Sequence, residues 1–74
     1  MKISIKPGVI YKFCSDQGIS RDELSRRMGI ATSTAFRVEK GDVSPSPRFI
    51  AAFMHLTGLR FEDLFEIVAE VAAA

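Results

Sequence analysis

Apolar side chains recur at helical spacing along most of this chain, and glycines and prolines cut the pattern into short runs. Ile10, Phe13, Cys14 and Gln17 follow an i, i+3, i+4, i+7 order and predict a first helix, with Pro7 in its first turn and its end near Gln17. Gly18 stops it and Ile19 drops into the core. Leu24 and Met28 share one face of a second helix over Arg21–Met28, with Ser20 and Glu23 spaced as a reciprocal capping box. Gly29 sits where that helix must turn, Ile30 plugs the angle, and Ala35 and Val38 form the inner stripe of a third helix over Thr32–Lys40. Lys40 to Pro47 is a loop holding two prolines. Ser46 and Pro47 then suit the cap and first position of a fourth helix to about Thr57, whose core face is Phe49, Ile50, Phe53 and Leu56. Gly58 closes it and Leu59 returns to the core. A fifth helix begins near Phe61 and carries Leu64, Phe65, Ile67, Val68 and Val71, with Glu62 and Asp63 favourably placed in its first turn. At the other end, Met1 to Lys6 alternates Lys-Ile-Ser-Ile-Lys, which fits either a short strand or an unpaired N-terminal arm.

The expected architecture is therefore all-α: one compact five-helix domain over residues 1–74, with 1–6 as an arm and 72–74 as a frayed tail. Its second and third helices have a narrow apolar inside and an outside of hydroxyls and arginines, as in a helix-turn-helix. Leu24, Ser25, Met28, Gly29, Ile30, Ala35 and Val38 follow the order of apolar, small and glycine positions found in DNA-binding helix-turn-helices. With the run Val38-Glu39-Lys40-Gly41, then Pro45 and a further helix, the chain resembles the phage repressor and Cro family. Leu59 to Phe65 resembles the start of that family's last helix, so the likeness spans roughly residues 10 to 66.

That resemblance implies a sequence-specific regulator of transcription that binds double-stranded DNA. Its third helix would enter the major groove, and a homodimer would sit on a pseudo-palindromic operator. A Cro-like or repressor-like phage or plasmid switch protein fits, and so does a bacterial controller of similar size. Thr32, Ser33 and Arg37 match base-reading positions; an arginine there can grip guanine O6 and N7 together. Ser20, Arg21, Thr34, Lys40 and Arg48 match positions that hold the DNA backbone. Arg21 also lies at a helix N-terminus, which favours phosphate.

Three departures from the family stand out. Ala31 occupies a position often filled by a capping Ser or Thr, which would shift the cap to Thr32. Cys14 replaces an arginine that commonly pairs with the glutamate matching Glu39, so Glu39 must find another cation or be held differently. Asp42 further replaces a commonly basic residue. Phe36 points off the inner stripe, where it would cover the 41–45 loop, meet a protein partner or press on a thymine methyl. Arg26 and Arg27 lie on the outer face, solvated or against DNA.

Composition adjusts this picture modestly. Net charge is only +1, yet residues 1–48 carry +4 and residues 49–74 carry −3, so the basic charge belongs to the motif half. A single cysteine excludes an internal disulfide, and Cys14 reads as core; no cofactor or metal is expected from the one cysteine and one histidine. His55 reads as a surface residue. Enzymatic chemistry is not indicated: there is no Gly-rich phosphate loop and no paired acids placed in a cleft. No apolar run is long enough to span a bilayer, and the expected location is the cytoplasm. Surplus apolar residues at Phe65, Val68 and Val71 fit either a seam between copies or packing of the tail on the first helix, and Phe36 is a further candidate interface residue. The alternative function is an interaction module or inhibitor of the same fold that binds a partner protein rather than DNA.

Overall fold

The computed structural model describes residues 1–69, in the order β1 (Lys2–Ile5), α1 (Val9–Gln17), α2 (Arg21–Met28), α3 (Thr32–Lys40), α4 (Pro47–Thr57), α5 (Phe61–Leu64) and β2 (Phe65–Val68). The boundaries of α2, α3 and α4 are those the apolar spacing predicts. Ser46 caps α4, its Oγ accepting from the Phe49 N–H at 3.1 Å, and Pro47 follows in the first turn. No described helix is long and apolar enough to cross a membrane.

Both ends of the chain depart from the all-α expectation. Residues 2–5 are a strand rather than an arm, and the fifth helix is a single turn that gives way to a second strand at Phe65. The two strands pair antiparallel, with Ile5 opposite Phe65 and Ile3 opposite Ile67. Lys6 N–H donates to the Leu64 carbonyl at 2.9 Å, where the ladder begins. A helix running on past Leu64 would have left the β1 backbone without partners. Pairing satisfies both strands at once, and the β-branched pair Ile67-Val68 suits a pleated ladder better than a helix. Val71 and residues 72–74 lie outside the described residues.

Two smaller corrections concern turns. Pro7 precedes α1 instead of sitting in it, because Gly8 takes a left-handed φ of 79° and starts the helix at Val9. Leu59 does not return to the core: it is 48 % exposed and lines a cavity of about 310 Å³ with Val9, Phe13 and Leu64. Lys12, Asp16 and Asp63 stand round the same cavity, to which neither α2 nor α3 contributes a residue.

The core is built on α4. Phe49 and Phe53 are fully buried, and their rings lie 6.0 Å apart. Phe53 meets Phe13 of α1 and Phe65 of β2 edge-on at 6.1 and 6.2 Å, while Phe61 stacks on Phe65 at 5.3 Å. One helix thus joins α1, the sheet and α5, while α2 packs against it from the motif side. Around the rings lie Ile5, Ile10, Cys14, Leu24, Met28, Ala35, Val38 and Leu64, all buried. Phe65 belongs to this core, at 1 % exposure, and so is not available as an interface residue; Val68, at 36 %, lies at the surface of β2 with Ile67.

Phe53→Ala should cost about 3–5 kcal/mol, since it removes a ring touched from three elements and leaves a cavity. Such a loss is comparable with the whole stability of a domain this small; chemical denaturation followed by circular dichroism measures it. Cys14 makes a second prediction. Burial pushes its thiol above the ordinary value of 9.0, with the Arg21 charge pulling down and Glu39 pushing up. The unfolded thiol ionises near that ordinary value while the folded one keeps its proton to higher pH. The folded state therefore holds more protons there, and stability falls as pH rises past about 9. Denaturant midpoints measured up to about pH 10 should show this decline in the wild type and a shallower one in Cys14→Ala.

Candidate nucleic-acid interface

The interface is assembled from the turn between α2 and α3. Ser20 caps α2, accepting from the Glu23 N–H at 3.1 Å. The reciprocal arm of the expected capping box is absent: the Glu23 carboxylate turns outward to Arg26 at 2.8 Å and Arg27 at 3.3 Å. Those two arginines form an exposed ionic cluster along α2. Leu24, Ser25 and Met28 are buried against α3, whose own inner face is Ala35 and Val38. Ser25 and Ala35 are small, which lets the helices approach closely, although the buried Ser25 Oγ finds no hydrogen-bond partner among the described residues. An unmet hydroxyl there costs about 1–3 kcal/mol, so side-chain volume rather than polarity explains a residue of this size at the contact.

Gly29 ends α2 with φ 68°, and its N–H and that of Ile30 return to the Arg26 and Ser25 carbonyls. A side chain there would be strained by about 1–2 kcal/mol from the backbone alone. It would also meet Arg48 Nη2, which lies 3.3 Å from where a Cβ would stand. Arg48 at the start of α4 therefore extends over the turn and brings its charge to the motif. Ala31 is the extended residue before α3 and supplies no side-chain cap; the helix starts at Thr32, which does not take over that role.

On α3, at about 100° per residue, Ser33, Arg37 and Lys40 fall within a wedge of roughly 60° opposite Ala35 and Val38. All three are exposed. Thr32, the first residue of the helix, is half-buried about 80° round from the nearest edge of this wedge, and Thr34 is exposed about 60° beyond its other edge. Ser20 is exposed at the N-terminal end of α2, the end opposite the Gly29 turn. Asp42 follows α3, its N–H bonded to the Arg37 carbonyl at 2.9 Å.

Glu39 finds its cation on α2. Arg21 Nε and Nη2 donate to the two Glu39 carboxylate oxygens at 2.8 and 2.9 Å, a parallel two-bond fork. The arginine is 36 % exposed and the glutamate 24 %. The hydrogen bond to Glu39 holds the guanidinium in its charged form more firmly, partly offset by desolvation. The same guanidinium lies over the Phe36 ring, 5.9 Å from its centroid. Phe36, 43 % exposed, thus has the α2 arginine on its face rather than the following loop. Neither contact was visible in the sequence, because residues 18 and 15 apart share no local periodicity. The only signal was a glutamate next to inward-facing Val38, with no cation left at residue 14 to pair it.

The family described as helix-turn-helix matches residues 3–64. An "Uncharacterized HTH-type transcriptional regulator YvzC" of Bacillus subtilis is 30 % identical over 64 residues, covering 86 % of this chain and 83 % of that protein. An "Uncharacterized HTH-type transcriptional regulator" of Archaeoglobus fulgidus is 32 % identical over 56 residues, covering 76 % and 80 %. No solved structure matches the chain at the same stringency. With its turn at Gly29 and the family match running from β1 to α5, the chain belongs to the Cro- and repressor-type helix-turn-helix family.

Proposed function

We propose that this protein is a sequence-specific transcriptional regulator that acts by occupying double-stranded DNA. One observation carries the reading: the outer face of α3 presents Ser33, Arg37 and Lys40 together, on a helix held rigidly from behind by Ala35 and Val38. A helix of this size fits the major groove, and an arginine at its centre suits two hydrogen bonds to guanine. Thr32, Ser33 and Arg37 read bases, with Thr32 working from the first position of the helix. Ser20, Arg21, Thr34, Lys40 and Arg48 hold phosphates on either side. The Ser20 hydroxyl accepts within its cap and still has its proton to donate. The two similar proteins named as transcriptional regulators support the same conclusion.

The finer reading is Cro-like or repressor-like: a homodimer in the cytoplasm, spanning two half-sites about one helical turn apart on a pseudo-palindrome. A single module with this few basic residues binds weakly and with strong salt dependence, so pairing supplies the affinity that one copy lacks.

Selection from a random pool of duplexes, repeated across a salt series, tests the proposal. Wild type should enrich a short inverted repeat. Arg37→Ala should relax preference at one position per half-site, losing about 1–3 kcal/mol of discrimination. Lys40→Ala should instead weaken binding to all sequences alike and reduce the salt slope by about 1. Salt-insensitive or absent binding by a folded protein would overturn the DNA reading in favour of a partner protein.

A further inference from the structure

We propose that Glu39 and Phe36 are positioning residues for Arg21, fixing its guanidinium so that the edge they leave free is presented to a backbone phosphate. This rests on the DNA-binding reading and goes beyond it, because neither residue touches DNA in that scheme. A guanidinium carries five N–H donors in a rigid plane. Glu39 takes one from Nε and one from Nη2, at 2.8 and 2.9 Å. Among the described residues, Nη1 donates to none. Arg21 Cζ lies over the Phe36 ring, 5.9 Å from its centroid, so an aromatic ring adds a second restraint to that of the carboxylate. The fork leaves Nη1 and the second proton of Nη2 for another acceptor, on a side chain still 36 % exposed.

Both restraints come from α3, three residues apart, while the arginine belongs to α2. The helix proposed to enter the major groove therefore also orients the charge proposed to grip the backbone beside it. An arginine already held in a fork loses less freedom on binding phosphate than a solvated one. The competing physical outcome is that Glu39 neutralises Arg21 and withdraws it from DNA. The two differ in sign, since removing an acidic group near DNA ordinarily strengthens binding.

Glu39→Gln keeps the shape and removes the carboxylate charge. It is measured on the inverted repeat enriched by the wild type and on a mixed-sequence duplex, with circular dichroism melts of each variant to establish that it is folded. Despite the lost negative charge, Glu39→Gln should weaken binding about 3–10-fold at low salt, because a loosened arginine must be ordered again. Phe36→Leu should weaken it in the same direction with an unchanged salt slope. Arg21→Ala should reduce that slope by about 1. Tighter binding and a steeper slope in Glu39→Gln would overturn the proposal, showing Arg21 to be sequestered. An unchanged slope in Arg21→Ala would overturn it too, while leaving the DNA-binding reading intact. Failure of the folded wild type to bind either duplex would overturn that reading, and this one with it.

Discussion

Everything in this small domain leans on the aromatic contact at the middle of α4. A chain of 74 residues with a single cysteine has no disulfide to hold it, so burial must do the work. Phe49 and Phe53 are the two large side chains that gather the other elements: Phe13 of α1 meets Phe53, Phe65 of the sheet meets both, and Phe61 of α5 joins by stacking on Phe65. Edge-to-face packing of the rings adds direction to what would otherwise be a non-directional force. The motif helices are held against this frame by Leu24, Met28, Ala35 and Val38, leaving the outer face of α3 without structural duties.

That division explains why a motif of only two short helices can hold its shape. Helices of eight and nine residues are marginal in isolation. Here the turn at Gly29, the small side chains at the crossing and the fork between Arg21 and Glu39 each tie α2 to α3. The fork is a modest stabiliser, since both groups keep some contact with water. Its larger consequence is geometric: it links the start of one helix to the last turn of the next. With Cys14 in the buried face of α1, the cation for Glu39 comes from α2 instead.

Much of this was legible in the residues themselves. The spacing of Leu24 and Met28, the glycine after Met28 and the pair Ser46-Pro47 each encode a local rule, and α2, α3 and α4 have the predicted limits. The segment after Leu64 was not legible in the same way. Phe65, Ile67 and Val68 fit a helical stripe or a strand equally well, and only the presence of β1 beside them decides between the two. Leu59 illustrates the same difficulty on a smaller scale: an apolar residue after a helix-ending glycine looks inward-bound, but the path of the chain leaves it at the rim of a cavity.

The sequence by itself determined the helix-turn-helix, its boundaries, its inner stripe and the basic bias of its half of the chain, because each depends on neighbours within about one or two helical turns. Tertiary structure alone decided three things: the pairing of the two chain ends into a sheet, the burial of Phe65, and the seating of Arg21 between Glu39 and Phe36. Each joins residues far apart in the chain. Backbone hydrogen bonding across strands, and the need of a part-buried glutamate for a cation, act through space with no period that the order of residues could display.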